Sequence, residues 1–276
     1  MTDALRTSFI VTCKGRLSHL KQSLPALVVQ KNSETILVDY SCEDGCGDWA
    51  STNHPETTIV QVIGEKDFCL SRARNIGAKK SSGDVLCFID ADAIASENLS
   101  SHVLEITKVF DYAGFSGLAE ASDLFGFLCV KRDIFEKIGG YDEAFKGWGG
   151  EDIDIRFRLK NAGYKFSPIK QTMITSIPHG DELRQINARH PSEKLSRNMA
   201  LQASQLYMHI KIDISNNFNE PPLEVRSNIF NACAAEIKRA SETNTNASIS
   251  VNLPQKSISR FSSRINKKII YEVTII

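Results

Sequence analysis

Val85-Leu86-Cys87-Phe88-Ile89-Asp90-Ala91-Asp92 is a run of five apolar residues that ends in two carboxylates. A short, continuous apolar run reads as a strand buried on both faces, as in the middle of a parallel sheet. Asp90 and Asp92 fall where that strand runs out. They are two positions apart, so on an extended chain both point to the same side. Open α/β sheets bind ligands in the crevice at the C-terminal ends of their strands. Two carboxylates held close repel each other unless a cation lies between them, and a hard divalent ion bridged to phosphate oxygens meets that need. The competing reading is a polar loop that caps a strand, so the pair has to be weighed with the rest of the chain.

Upstream, strands and helices alternate. Phe9-Ile10-Val11-Thr12-Cys13 reads as a first strand, followed by a helix through Leu17, Leu20, Leu24 and Leu27. Pro25 falls inside that pattern and predicts a kink or a break. Thr35-Ile36-Leu37-Val38-Asp39 and Thr58-Ile59-Val60-Gln61-Val62-Ile63 read as two more strands, and residues 70–80 as a helix. This alternation predicts a mostly parallel α/β sheet with helical crossovers. Downstream, residues 102–110 read as a helix and residues 125–132 as a strand, with a short helix before Gly139-Gly140.

A second unusual stretch follows, Gly147-Trp148-Gly149-Gly150-Glu151-Asp152-Ile153-Asp154. Glycines around a Trp make a loop that can approach a ligand closely, and an indole offers a flat apolar face with one N–H donor, suited to stacking on a sugar ring. The alternation of Ile153, Ile155, Phe157 and Leu159 suggests a strand. Acids in a first turn, with Arg156, Arg158 and Lys160 later, favour a helix ending before Gly163, with an Asp152–Arg156 pair at i,i+4. Residues 164–168 and 173–177 are extended, and the latter delivers Pro178-His179-Gly180. Residues 201–214 and 223–240 read as two helices, residues 243–250 as a linker, and the end as a basic segment with interspersed Phe261, Ile265, Ile269 and Ile270, a candidate peripheral membrane contact.

The 276 residues are enough for one large α/β domain, and the 42% of apolar residues are enough to fill a core. Basic and acidic residues balance at 33 each, which gives no reason to expect nucleic-acid binding. The first eight residues are polar and no apolar run approaches a membrane span, so the protein is expected in the cytoplasm, at most peripheral at the inner face of a membrane. The seven cysteines are odd in number and scattered, and are read as reduced. Cys42, Cys46 and His54 suggest zinc, but no second ligand pair stands at the right spacing.

Asp39 at a strand end is a cap for its turn or a contact to a base or ribose. Arg72 and Arg74 suit a diphosphate, since arginine matches phosphate oxygens with a planar fork, or else mark a solvated helix face. Taken together, Asp39, Ser71-Arg72-Ala73-Arg74-Asn75-Ile76-Gly77, Asp90-Ala91-Asp92 and Gly147-Trp148-Gly149-Gly150-Glu151-Asp152 stand in the order and spacing of a nucleotide-sugar glycosyltransferase. Residues 7–196 resemble glycosyltransferase family 2 with the GT-A fold, and their later part resembles the catalytic half of β-1,4-galactosyltransferases and chondroitin-type polymerases.

The resemblance implies a GT-A domain with a nucleotide-sugar half at 1–115 and an acceptor half at 116–200, followed by a helical extension at 201–276 that it does not cover. It implies that Asp39 contacts uracil, that Asp90 lies near ribose and metal, and that Asp92 is the principal ligand of Mn²⁺ or Mg²⁺. His179 would complete the metal site, with His190 as the alternative. Trp148, Gly149, Gly150 and Glu151 would line the donor and acceptor sugars, and Asp152 would be the general base. The implied activity is inverting transfer of a hexose or N-acetylhexosamine from a UDP-sugar to a saccharide or glycolipid acceptor, in bacterial polysaccharide or glycoconjugate synthesis. A nucleotidyltransferase is the competing enzyme reading, but Lys14-Gly15-Arg16 is thin for a triphosphate site. A non-catalytic carbohydrate-binding module is the other, opposed by the intact set of acids.

Overall fold

In a computed structural model, residues 5–65, 67–116, 123–147, 149–178, 195–217, 220–253 and 267–274 are described. Trp148, His179 and His190 lie outside them. The chain forms two compact units, Met1–Asp142 with Glu151–Ala188, and Glu143–Gly150 with Arg189–Ile276.

The first unit is built on a seven-stranded sheet. It begins as the sequence predicts, with β1 (Thr7–Cys13), α1 (Leu17–Val28), β2 (Ser33–Tyr40), α2 (Cys46–Asn53), β3 (Thr58–Val62), α3 (Leu70–Lys80) and β4 (Val85–Asp90). The helix α2 has no apolar periodicity long enough to announce it. Short elements follow: β5 (Ala93–Ala95), α4 (Leu99–Thr107), β6 (Tyr112–Gly114), β7 (Leu128–Lys131), α5 (Arg132–Lys137), α6 (Glu151–Asn161), β8 (Phe166–Pro168) and β9 (Ile174–Ser176).

The strand order is β3-β2-β1-β4-β7-β6-β8. The first four strands run parallel, β7 is antiparallel to both β4 and β6, and β8 is parallel to β6. The strands on both sides of residue 115 therefore share one sheet. Every residue of β1 is buried, as are the five apolar residues of β4, which is why these strands carry apolar side chains on both faces. Phe9, Val11, Cys87 and Ile89 point to the face covered by Leu20, Leu24 and Leu27 of α1 and by Leu99 and Val103 of α4. Ile10, Leu86 and Phe88 point the other way, to Tyr141, Ile155 and Leu159. Phe88 meets the Tyr141 ring edge-on at 5.0 Å.

Helix α1 is neither broken at Pro25 nor shortened by it, since it continues to Val28. A proline so close to the end removes one hydrogen bond, while burial of Leu24 and Leu27 holds the last turn on the sheet. In α6 the helical reading holds. Its buried residues are Glu151, Asp154, Ile155 and Leu159, at helical spacing, while Ile153 is exposed. The i,i+4 ion pair of α6 is Asp154 with Arg158, at 2.8 Å, rather than the expected Asp152 with Arg156.

The second unit contains α7 (Arg197–Asn217), α8 (Leu223–Thr243), β10 (Ala247–Leu253) and β11 (Lys267–Val273). Its core gathers Phe145, Tyr207 and Phe230, whose rings lie 5.0 to 5.8 Å apart. The expected linker at 243–250 is instead a helix end followed by a strand, and part of the expected basic tail is its antiparallel partner. The apolar residues there are sparse but alternate: Ile249, Val251, Ile269, Tyr271 and Val273 turn to the helical core, and Ser248, Ser250, Lys268 and Glu272 to solvent. Ile269 is thereby committed to the core, which leaves Ile270 as the exposed apolar residue of β11. Among the described residues no helix is long and apolar enough to cross a membrane.

Candidate active site

Register places the rim of the sheet. β1 aligns Cys13 with Asp39 of β2 and Thr12 with Asp90 of β4. Asp39 and Asp90 therefore stand along one edge, at the C-terminal ends of parallel strands, where such sheets bind ligands. The turn after β4 is pinned from two sides. Ser23 Oγ of α1 donates to the Ala91 carbonyl at 2.7 Å, and the Ile177 amide donates to the Asp92 carbonyl at 2.7 Å. The second bond continues the β5–β9 ladder, which pairs Ala93 with Ser176.

Asp39 caps its own turn. Its two carboxylate oxygens accept from the amides of Cys42 at 2.9 Å and Gly47 at 3.1 Å. Burial raises its pKa and those two donors oppose the rise. A carboxylate has about four acceptor sites, so this role leaves capacity for a ligand donor.

The centre of the site is Arg74. The sequence reading offered it a diphosphate or a solvated helix face; in the structure its side chain is 1% exposed and faces three carboxylates. Nη1 donates to Asp152 Oδ1 at 2.5 Å and stands 3.7 Å from Glu151 Oε1, while Nη2 donates to Asp90 Oδ1 at 3.1 Å. The guanidinium lies 5.0 Å from the centre of the Tyr141 ring. Asn75, the next residue of α3, clamps the Tyr141 backbone with two hydrogen bonds of 2.9 Å. Arg72 is two positions away, about 200° around the helix, and pairs with Glu65 at 3.1 Å while 46% exposed.

Gly126 completes the cluster. A methyl group there would stand 2.8 Å from Asp90 Oδ2, 3.0 Å from Arg74 Nη2 and 3.4 Å from Asp152 Oδ2, so only glycine lets the backbone come this close. Arg156 holds this segment, donating from Nη2 to the carbonyls of Phe125 at 2.9 Å and Phe127 at 2.7 Å. Arg158 ties the same helix to the loop after α5 through the carbonyls of Ile138 and Gly140. Sequence reasoning passed over Gly126 and Tyr141 and paired Arg156 with Asp152, because the roles of all three depend on long-range contacts.

Burial perturbs two carboxyls of the cluster, Glu151 and Asp90. Burial pushes Glu151 up to about 8; the Asp152 charge adds to the rise and Arg74 opposes it. That shift favours the protonated carboxyl, which can donate a hydrogen bond. Asp90 is also raised, by burial first, with Arg74 opposing and the charges of Asp92 and Asp152 adding. Burial pulls the Arg74 guanidinium down, but its carboxylate neighbours, Asp152 first, outweigh that and hold it above its usual range. Asp92 faces Arg16 at 3.7 Å, a cation that spacing did not single out. Asp90 and Asp152 thus face Arg74, and Asp92 faces Arg16.

That donor set fits a hard divalent cation. Asp90 and Asp92 offer carboxylate oxygens at the rim, and the repulsion by which Asp92 raises Asp90 is what a cation between them relieves. Gly149 and Gly150 lie on the second unit with φ of +83° and +101°. Gly150 also abuts Ser204 and Phe145 so closely that a methyl group would clash, at 2.5 and 2.8 Å.

Known proteins bear on this arrangement. A family profile described as the N-terminal domain of galactosyltransferase matches residues 118–180, the segment carrying β7, α5, the glycine-rich loop and α6. β-1,4-Galactosyltransferase 5 of Danio rerio is 27% identical over 195 residues, which cover 66% of this chain and 48% of that protein. The chain thus spans about half the length of that curated relative. Mannosyltransferase PcManGT from Pyrobaculum calidifontis, solved with GDP-Man and Mn2+, superposes with a TM-score of 0.54 at 14% identity, covering 88% of this chain and 76% of that one. TarS of S. aureus superposes with a TM-score of 0.56 at 12% identity, covering 87% and 74%.

The chain has the GT-A fold. In this GT-A domain β4 and its Asp90-Ala91-Asp92 turn sit at the middle of the sheet, and α6 brings Glu151 and Asp152 to the same buried arginine.

Proposed function

We propose that this GT-A domain transfers a hexose or N-acetylhexosamine from a UDP-sugar to a saccharide acceptor, with inversion and with the help of Mn²⁺ or Mg²⁺. The observation that carries the reading is the convergence of Asp90, Glu151 and Asp152 on Arg74. The galactosyltransferase relative and the Mn2+ complex of the mannosyltransferase support the reaction class and the metal.

Asp90 and Asp92 would hold the cation, with His179 as the candidate third ligand. When bound, such a cation supplies Lewis-acid stabilisation to a diphosphate leaving group. Asp39 accepts from the base of the donor nucleotide, and Arg72, exposed on its helix, exchanges Glu65 for phosphate oxygens. Arg74 acts one step back, fixing the Asp152 and Asp90 carboxylates relative to each other. A sugar hydroxyl is a poor nucleophile, so Asp152 removes its proton as it attacks the anomeric carbon from the side opposite the leaving group. Glu151, protonated, donates a hydrogen bond to a hydroxyl of donor or acceptor. Trp148, Gly149 and Gly150 are the candidates to contact the sugars.

Calorimetric titration with UDP and a panel of UDP-sugars, in Mn²⁺ and then in chelator, tests the proposal. Metal-dependent binding that prefers one UDP-sugar is expected. Binding confined to a guanosine nucleotide would overturn the donor assignment, and binding of no nucleotide would overturn the transferase reading.

A further inference from the structure

Beside the active-site rim lies a cluster the proposed transfer does not use. Cys13 ends β1, Cys42 follows the Asp39 turn, and Cys46 opens α2. Their sulfurs all lie within 4.8 Å of one another, the one such cluster of potential metal ligands among the described residues. Cys46 Sγ is 2.6 Å from Cys13 Sγ and 2.8 Å from Cys42 Sγ. The Gly15 amide donates to Cys42 Sγ at 3.2 Å, a contact that stabilises negative charge on sulfur. Cys46 sits in the first turn of α2, where the helix dipole does the same. Cys13 and Cys46 are buried and Cys42 is partly open to solvent. His54, which sequence spacing groups with Cys42 and Cys46, instead packs on Trp49 and faces Glu56 at 3.6 Å.

We propose that Cys13, Cys42 and Cys46 form a trithiolate site for zinc, with the fourth position on the solvent side of Cys42. Soft thiolates select zinc over the hard ions that suit carboxylates. Three sulfurs on one tetrahedral zinc, at bonds of about 2.3 Å, stand about 3.8 Å apart. Reaching that value opens the two short edges here by about 1 Å. A disulfide would join two of the sulfurs and leave the third thiol packed against the bond; a single cation satisfies all three. The same turn holds Asp39 through the Cys42 and Gly47 amides, so the metal would clip the end of β1 to the segment that shapes the rim.

The full chain, purified reduced, is titrated with Co²⁺ and then with Zn²⁺. A sulfur-to-cobalt charge-transfer band that zinc bleaches is expected, together with stoichiometric zinc retained after dialysis. Both persist in Asp90→Asn, which touches only the carboxylate site, and in Cys233→Ser, in the other unit. Both fall to background in Cys42→Ser, whose half-open position tolerates the change, and in Cys46→Ser, with circular dichroism reporting the fold. A band that survives Cys42→Ser and Cys46→Ser in folded protein overturns the proposal. So does an intact mass under non-reducing conditions showing two of these cysteines oxidised to a disulfide in the protein as isolated. Because the readout is sulfur-specific and needs no nucleotide, its failure is distinct from failure of the transferase reading.

Discussion

Arg74 Nη1 stands 2.5 Å from Asp152 Oδ1, across 78 positions of chain, and the same guanidinium reaches Asp90 with its other terminal nitrogen. Helices α3 and α6 are thus joined through one buried charge. Removing that charge leaves carboxylates without their partner in a low-dielectric site. Arg74→Ala is therefore expected to destabilise the protein by about 3–5 kcal/mol. Arg74→Lys cannot reproduce the fork and is expected to recover only part of the loss. Urea denaturation midpoints check both.

The raised Glu151 carboxyl makes a pH prediction with a definite sign. Between its ordinary value of 4.5 and about 8, the folded state keeps a proton that the unfolded state releases. The folded state binds more protons there, so stability falls as pH rises through that window. Glu151→Gln, which carries no titrating proton, is expected to flatten this part of the profile. Thermal unfolding midpoints at intervals from pH 5 to about 9 test it. A wild-type profile no steeper than that of the variant would count against a protonated Glu151.

Much of this was legible in the sequence, for local reasons. The run into Asp90 is continuous and apolar because β4 is covered on both faces, and its acids emerge where the sheet ends. Helix α6 carried two conflicting periods; the acids at its start and the burial of Ile155 and Leu159 decided for helix. What escaped depends on distant partners. Nothing near Arg74 says that it faces acids rather than phosphates, because Asp152 reaches it only through the fold. Cys13 is separated from Cys46 by a full β-α-β crossover, so spacing offered His54 instead. The β10–β11 pair was hidden by low apolar content, since only one face of it is covered.

Gly126 gives a sharper test of the carboxylate rim. Its missing side chain leaves room for Asp90 Oδ2, which a methyl group would meet at 2.8 Å. Gly126→Ala is expected to push the Asp90 carboxylate aside and to weaken Mn²⁺ binding about tenfold or more, the scale of outer-shell changes at metal sites. Calorimetry with Mn²⁺ measures this, and chelator is expected to abolish UDP-sugar binding in the same series. Unchanged Mn²⁺ affinity in a folded Gly126→Ala protein would separate Asp90 from the metal.

Asp152 and Glu151 are neighbours in sequence with opposite assignments, and kinetics can tell them apart. Asp152 is the proposed base, so Asp152→Asn removes the proton acceptor while Arg74 keeps a hydrogen-bond partner in the amide oxygen. Its kcat is expected to fall about 10²–10⁴-fold, with the dissociation constant of the UDP-sugar little changed. Burial favours the protonated form of Glu151, so Glu151→Gln keeps a neutral donor in the same place and is expected to cost far less. Initial rates for both variants, with donor affinity measured alongside, make the comparison. If Glu151→Gln is the crippling change and Asp152→Asn is not, the roles exchange: the buried glutamate is the base, and the Arg74–Asp152 pair is its fixed support.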